Sequence, residues 1–99
     1  MDSTEASTVT VTTANISVLK KRAYGSRAAF VITNTSTGGQ NIDFSTGQQT
    51  AVAGSGIRLA PGASWSEGFE GNVAGVQDSV QAISSAAGGT LAVWERVMV

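Results

Sequence analysis

Thr8 to Thr13 reads TVTVTT, with Val9 and Val11 on one side of an extended chain and threonines on the other. Alternation of β-branched and polar residues marks a half-buried strand. Ile16 and Val18 continue it beyond Ala14-Asn15, and Leu19 closes the segment. Arg27 to Thr33 is the strongest strand. Ala28, Phe30 and Ile32 share one face, and Ala29, Val31 and Thr33 the other. Apolar residues on both faces predict a central strand covered on two sides. The cluster from Asn34 to Gly39 turns the chain.

Gln40 to Ser45 predicts the next strand, with Ile42 and Phe44 inward and Asn41 and Asp43 outward. Gln48 to Ser55 is weakly patterned. Ile57 and Leu59 make a short strand around Arg58, and Pro61-Gly62 is a strong turn signal. Ala63 to Phe69 predicts a strand with Trp65, Glu67 and Phe69 on one side, which makes Glu67 an edge or rim residue. Gly68, Gly71 and Gly75 predict a bulge or loop across Glu70 to Val76. Asp78 to Ser84 and Thr90 to Val99 are the last two strands. The final one sets Leu91, Val93 and Val97 opposite Ala92, Trp94 and Met98.

Short strands at roughly ten-residue spacing, with Gly, Ser and Thr between them, predict an all-β fold of about eight strands. The expected architecture is a single antiparallel β-sandwich or small barrel, either jelly-roll or immunoglobulin-like. Pattern alone does not choose the strand order. Residues 1–7 are expected as a polar tail held by a neighbouring subunit or by their own domain, which covers 8–99. That leading stretch lacks the basic and apolar regions of a signal peptide. No apolar run approaches the ~20 residues that span a bilayer.

Composition adds a hint about surfaces. The 99 residues suffice for one domain. Only 13% are charged, about half the usual share. A surface this short of charge suits a chain that meets other protein over much of its area, or one kept in solution by polar Ser, Thr and Gln alone. The net charge of −1 carries no basic excess, so no nucleic-acid partner is expected. Lys20-Lys21-Arg22 is the one charge run. It reads as a solvated strand end or loop, or as a contact for an acidic partner surface or a phosphate.

Candidate chemistry is sparse. The chain has no Cys and no His, which removes disulfides, thiolate and imidazole metal sites, and His-based catalytic triads. Glu67 and Glu70 are the nearest carboxylate pair, but nothing sets them across a cleft as glycosidase chemistry needs. No D-x-D-x-D-G loop for calcium is present, and the Gly-rich pieces at 54–56 and 71–75 lack the phosphate-loop Lys. No catalytic, metal or cofactor site is expected. Asn34-Thr35-Ser36 fits the glycosylation sequon as a chance match. Trp65, flanked by glycines, and Tyr24 are the candidates for stacking on a sugar, and Trp94 is expected on an edge strand facing a neighbour.

Several motifs together resemble a kind of small structural protein of tailed phages. These are Arg27, Val31-Ile32-Thr33-Asn34-Thr35-Ser36, Ile42 to Gly47, and Gly56-Ile57-Arg58-Leu59-Ala60-Pro61-Gly62. Val80-Gln81-Ala82-Ile83-Ser84-Ser85 and Thr90-Leu91-Ala92-Val93-Trp94-Glu95 complete the set. The resemblance implies a non-enzymatic virion subunit: a capsid-decoration, vertex or spike protein present in many copies. Its partners would be copies of itself and a major capsid or other virion protein. The alternative is a carbohydrate- or receptor-binding sandwich. Candidate partner contacts are Lys20, Lys21, Arg22, Arg58, Trp65 and Trp94.

Overall fold

The computed structural model describes residues 2–22, 27–47, 49–67 and 78–98. It contains eight strands: β1 Asp2–Val11, β2 Ile16–Leu19, β3 Arg27–Asn34, β4 Ile42–Thr46, β5 Ile57–Leu59, β6 Ser64–Glu67, β7 Val80–Ser84 and β8 Gly89–Met98. They form two four-stranded antiparallel sheets, ordered β1-β8-β3-β6 and β2-β7-β4-β5. The first strand pairs with the eighth, the second with the seventh, the third with the sixth and the fourth with the fifth. That mirror pairing is the double Greek key of a jelly roll, and it decides against the immunoglobulin alternative.

The inward residues of both sheets meet in one core. Val11, Phe30, Ile32, Leu91 and Val93 come from the first sheet. Leu19, Ile42, Phe44, Leu59, Val80 and Ala82 come from the second. The inward positions expected on β4, Ile42 and Phe44, are the observed ones.

Two bulges interrupt the alternation, and both redirect side chains. Register shifts between Arg27 and Ala29, opposite Val97 and Arg96. Strict alternation from Phe30 would point Arg27 outward; the extra residue turns it into the sandwich. A second shift between Ser17 and Leu19 lets Leu19 face inward with Ile16, although they lie three apart. The alternation expected through Ile16 and Val18 holds, since both pack against the core, and it breaks only at Leu19.

Three further expectations change. The first strand begins at Asp2, not Thr8, so residues 2–7 run along Met98 to Val93 of β8. This mostly polar stretch hid the strand, because Thr4 to Ser7 are exposed. The outer face of β3 is only half-buried, because the sandwich has no third layer over it. Trp94 lies on β8, a central strand between β1 and β3, not on an edge. Tyr24, Phe69 and Glu70, and the bulge expected across 70–76, lie outside the described residues.

Candidate assembly surfaces

One end of the sandwich carries most of the charge. β2 ends there, β3 and β7 begin there, and β8 finishes there. Turned inward by its bulge, Arg27 is fully buried. Its Nε donates to Glu95 Oε2 at 2.7 Å, its Nη2 to the Lys20 carbonyl at 2.7 Å, and its Nη1 to the Asp78 carbonyl at 3.1 Å. Arg22 Nη2 donates to the other Glu95 oxygen at 2.7 Å and lies 3.8 Å from Glu5. Burial alone would raise the Glu95 pKa, but the two guanidiniums outweigh it and hold the carboxyl below its ordinary range. The basic run thus divides: Lys20 and Lys21 are exposed, while Arg22 serves the fold. At the opposite end, the turns at 12–15, 35–41, 60–63 and 85–88 contain no charged residue.

The polar residues of the phage-like motifs build the same frame. Asn34 is fully buried. Its Nδ2 donates to the carbonyls of Gln40 (2.9 Å) and Leu59 (2.8 Å), while its Oδ1 accepts the Ser36 amide at 3.0 Å. Ser36 Oγ accepts the Thr90 amide at 3.0 Å. With both amide hydrogens engaged in the interior, Asn34 offers no glycosylation site in the folded chain. Arg27, Asn34, Ser36 and Glu95 are anchors that the sequence reading did not single out as buried. Their signal was a polar residue placed on or beside an otherwise apolar face.

Arg58 is half-exposed and grips Asp43 with two bonds, Nε to Oδ1 at 2.8 Å and Nη2 to Oδ2 at 3.1 Å. Asp43 points outward from β4 as expected, yet it is buried, because the 47–56 connection folds over it. The Gly54 amide donates to Asp43 Oδ2 at 2.8 Å, and the Ala51 amide to Asn15 Oδ1 at 2.7 Å. The Arg58 bond chiefly holds the Asp43 pKa below its ordinary value against the opposing effect of burial, with help from Gly54.

Trp65 closes the rim between the sheets. Its ring meets Phe30 edge-on at 5.0 Å and Phe44 at 5.7 Å, and its Nε1 donates to Glu67 at 3.1 Å. Trp94 stands half-buried on the outer face of the first sheet, with the Arg96 guanidinium 5.6 Å from its ring. Around it Ala6, Thr8, Val31, Thr33 and Ala92 line a shallow depression of about 370 Å³. Among the described residues no three His, Cys, Asp or Glu side chains gather as a metal site would require.

The sheet edges differ greatly in length. β2, β5 and β6 are 4, 3 and 4 residues long, whereas β1 runs for 10. Short edges discourage pairing between chains. β1 is the one edge left long, and Glu5 is the one charge on its exposed stretch from Thr4 to Thr8.

No protein-family model matches this chain, and no curated protein matches it in sequence. It is similar in fold to a solved structure from Bacillus endospore appendages, described as a novel family of disulfide-linked pili. The two superpose with a TM-score of 0.60 at 20% identity, over 100% of this chain and 88% of the other.

Proposed function

We propose that this chain is a non-enzymatic structural subunit that assembles in many copies into a pilus-type surface appendage. The observation that carries this reading is the jelly roll shared, along its whole length, with a subunit of such an appendage. The low charge and the long β1 edge support it: both favour contact between copies over solvation. The appendage proteins are described as disulfide-linked, and this chain has no Cys, so its copies join by non-covalent contacts. Many repeated contacts supply the strength that no single one needs to have.

A virion setting would use the same physics, and the phage-like motifs led to it. Arg27, Asn34, Ser36 and Glu95 of those motifs hold this sandwich together, so the motifs report the fold more directly than the particle. The appendage setting, outside the cell, is therefore preferred. Trp65, the lead residue for the glycan reading, spends its ring on Phe30 and Phe44.

Sedimentation of the protein from its native source, with mass spectrometry across the gradient and electron microscopy of the fast fractions, tests the reading. Fibres containing this chain are the expected result. Co-migration with a major capsid protein would move it to a virion, and a 10 kDa species alone would overturn the structural role.

A further inference from the structure

The leading half of β1 is bound unlike the rest of the sandwich. From Thr4 to Thr8 every side chain is exposed, partial burial starts at Val9, and burial is complete at Val11. The stretch therefore supplies nothing to the core. A backbone ladder holds it, from Asp2 opposite Met98 to Ser7 opposite Val93. Among the described residues its side-chain tie is Glu5 to Arg22 at 3.8 Å, while Arg22 sits closer, at 2.7 Å, to Glu95. An edge ladder without apolar burial opens at the low end of local stability.

The strip that receives it is built differently. The same part of β8 is paired on its other side with β3, from Val97 opposite Arg27 to Val93 opposite Ile32. Glu95, in the middle of that strip, is clamped by Arg27 from within. The receiving strip stays formed when the leading half of β1 leaves.

We infer that neighbouring copies exchange this segment: residues 2–7 leave their own β8 and pair, in the same register, with 93–98 of the next copy. The inference rests on the multi-copy reading above and names its joint. Every ladder bond is remade in the exchanged form, so the two forms differ mainly at the hinge near Thr8 and in the loss of free motion between copies. That is why strand exchange is a low-cost route to assembly. Six extended residues reach about 20 Å, comparable with the 23 and 18 Å short dimensions of the chain, so a copy lying alongside is within range. One-way exchange propagates as an open row, whereas reciprocal exchange closes a dimer. The row gives a fibre continuity through strands where the chain has no cysteine to give it through disulfides.

Thr4 lies opposite Arg96, both are exposed, and directly opposed residues of an antiparallel pair fall within disulfide reach. The natural chain is cysteine-free, so Thr4→Cys and Arg96→Cys introduce the only thiols. The two single variants are unfolded, mixed, allowed to assemble and oxidised, and the double variant is treated alone. Exchange gives a disulfide-bonded heterodimer from the mixture and a covalent ladder from the double variant on non-reducing gels. A Thr4→Cys and Ala92→Cys mixture, four residues out of register, gives neither. Assembly in which the double variant closes only on itself, running as a monomer with both thiols consumed, overturns the exchange and leaves the structural reading intact. Failure of the wild-type chain to assemble overturns both.

Discussion

Asn34 gives both amide hydrogens to backbone carbonyls on different segments, Gln40 before β4 and Leu59 in β5. Removing it takes this donor from the buried Leu59 carbonyl and the partly buried Gln40 carbonyl, at about 1–3 kcal/mol for each group left unsatisfied. Asn34→Ala is expected to lower the unfolding free energy by about 2–4 kcal/mol. Asn34→Asp keeps the shape but loses the donors, and it should lie near the alanine variant in a urea titration, not near wild type. Glu95 has the opposite task, since it supplies the negative charge for Arg22 and Arg27. Glu95→Gln strands two guanidiniums at a mostly buried site, and about 3 kcal/mol of stability should go with it. The same carboxylate links stability to pH. Its folded pKa lies below its ordinary 4.5, as that of Asp43 lies below 3.8. Groups depressed in this way stabilise the fold above the unfolded pKa, and they lose that contribution as pH falls through the folded one. Urea midpoints should therefore be level down to about pH 5 and then fall with acid, and the acid slope should flatten in Glu95→Gln.

Among the elements, the 47–56 connection shows how a weakly patterned stretch acquires a structure. Its sequence, QQTAVAGS and the glycine after it, carries no strand or helix signal. What orders it is Asp43 beneath it, accepting from Gly54 and from Arg58. At its far end Gly56 has φ +87°, and a β-carbon there would run into the Phe44 carbonyl oxygen, so the tight entry to β5 requires glycine. Asp43→Asn weakens both grips on the loop while leaving the β4 ladder in place. Hydrogen exchange at the Gly54 amide should accelerate at least tenfold in that variant, with exchange in the β3–β8 ladder little changed; uniform acceleration would mean that the loop is not a separate unit. β1 is the reverse case. Its leading half has order without burial, and alternation reported only the half that carries Val9 and Val11.

For the whole molecule, the charged end and the long edge are separable from the core. Deleting residues 1–7 removes the leading half of β1, with Glu5 and the exposed stretch from Thr4 to Ser7, while Arg22 keeps its 2.7 Å partner Glu95. The shortened chain is expected to unfold cooperatively within about 1–2 kcal/mol of wild type, the range of ordinary surface losses. It should remain monomeric by sedimentation under conditions in which the full chain assembles. A shortened chain that still forms fibres would remove β1 as the joint.

The sequence by itself determined that the chain is all-β, where most strands fall, and which face of β4 turns inward. Those properties follow from two-residue alternation and turn chemistry, which are local and written in adjacent residues. Only the tertiary structure decided the jelly-roll order, because β1 pairs with β8 across nearly the full length of the chain, and no local pattern encodes a partner that distant. It also decided the burial of Arg27. One extra residue in β3 reverses the facing of everything before it, and a bulge leaves no mark in the alternation of residue types. The polar anchors Asn34, Asp43 and Glu95 became legible for the same reason: a buried polar group is recognised by its partners, and those partners come from elsewhere in the chain.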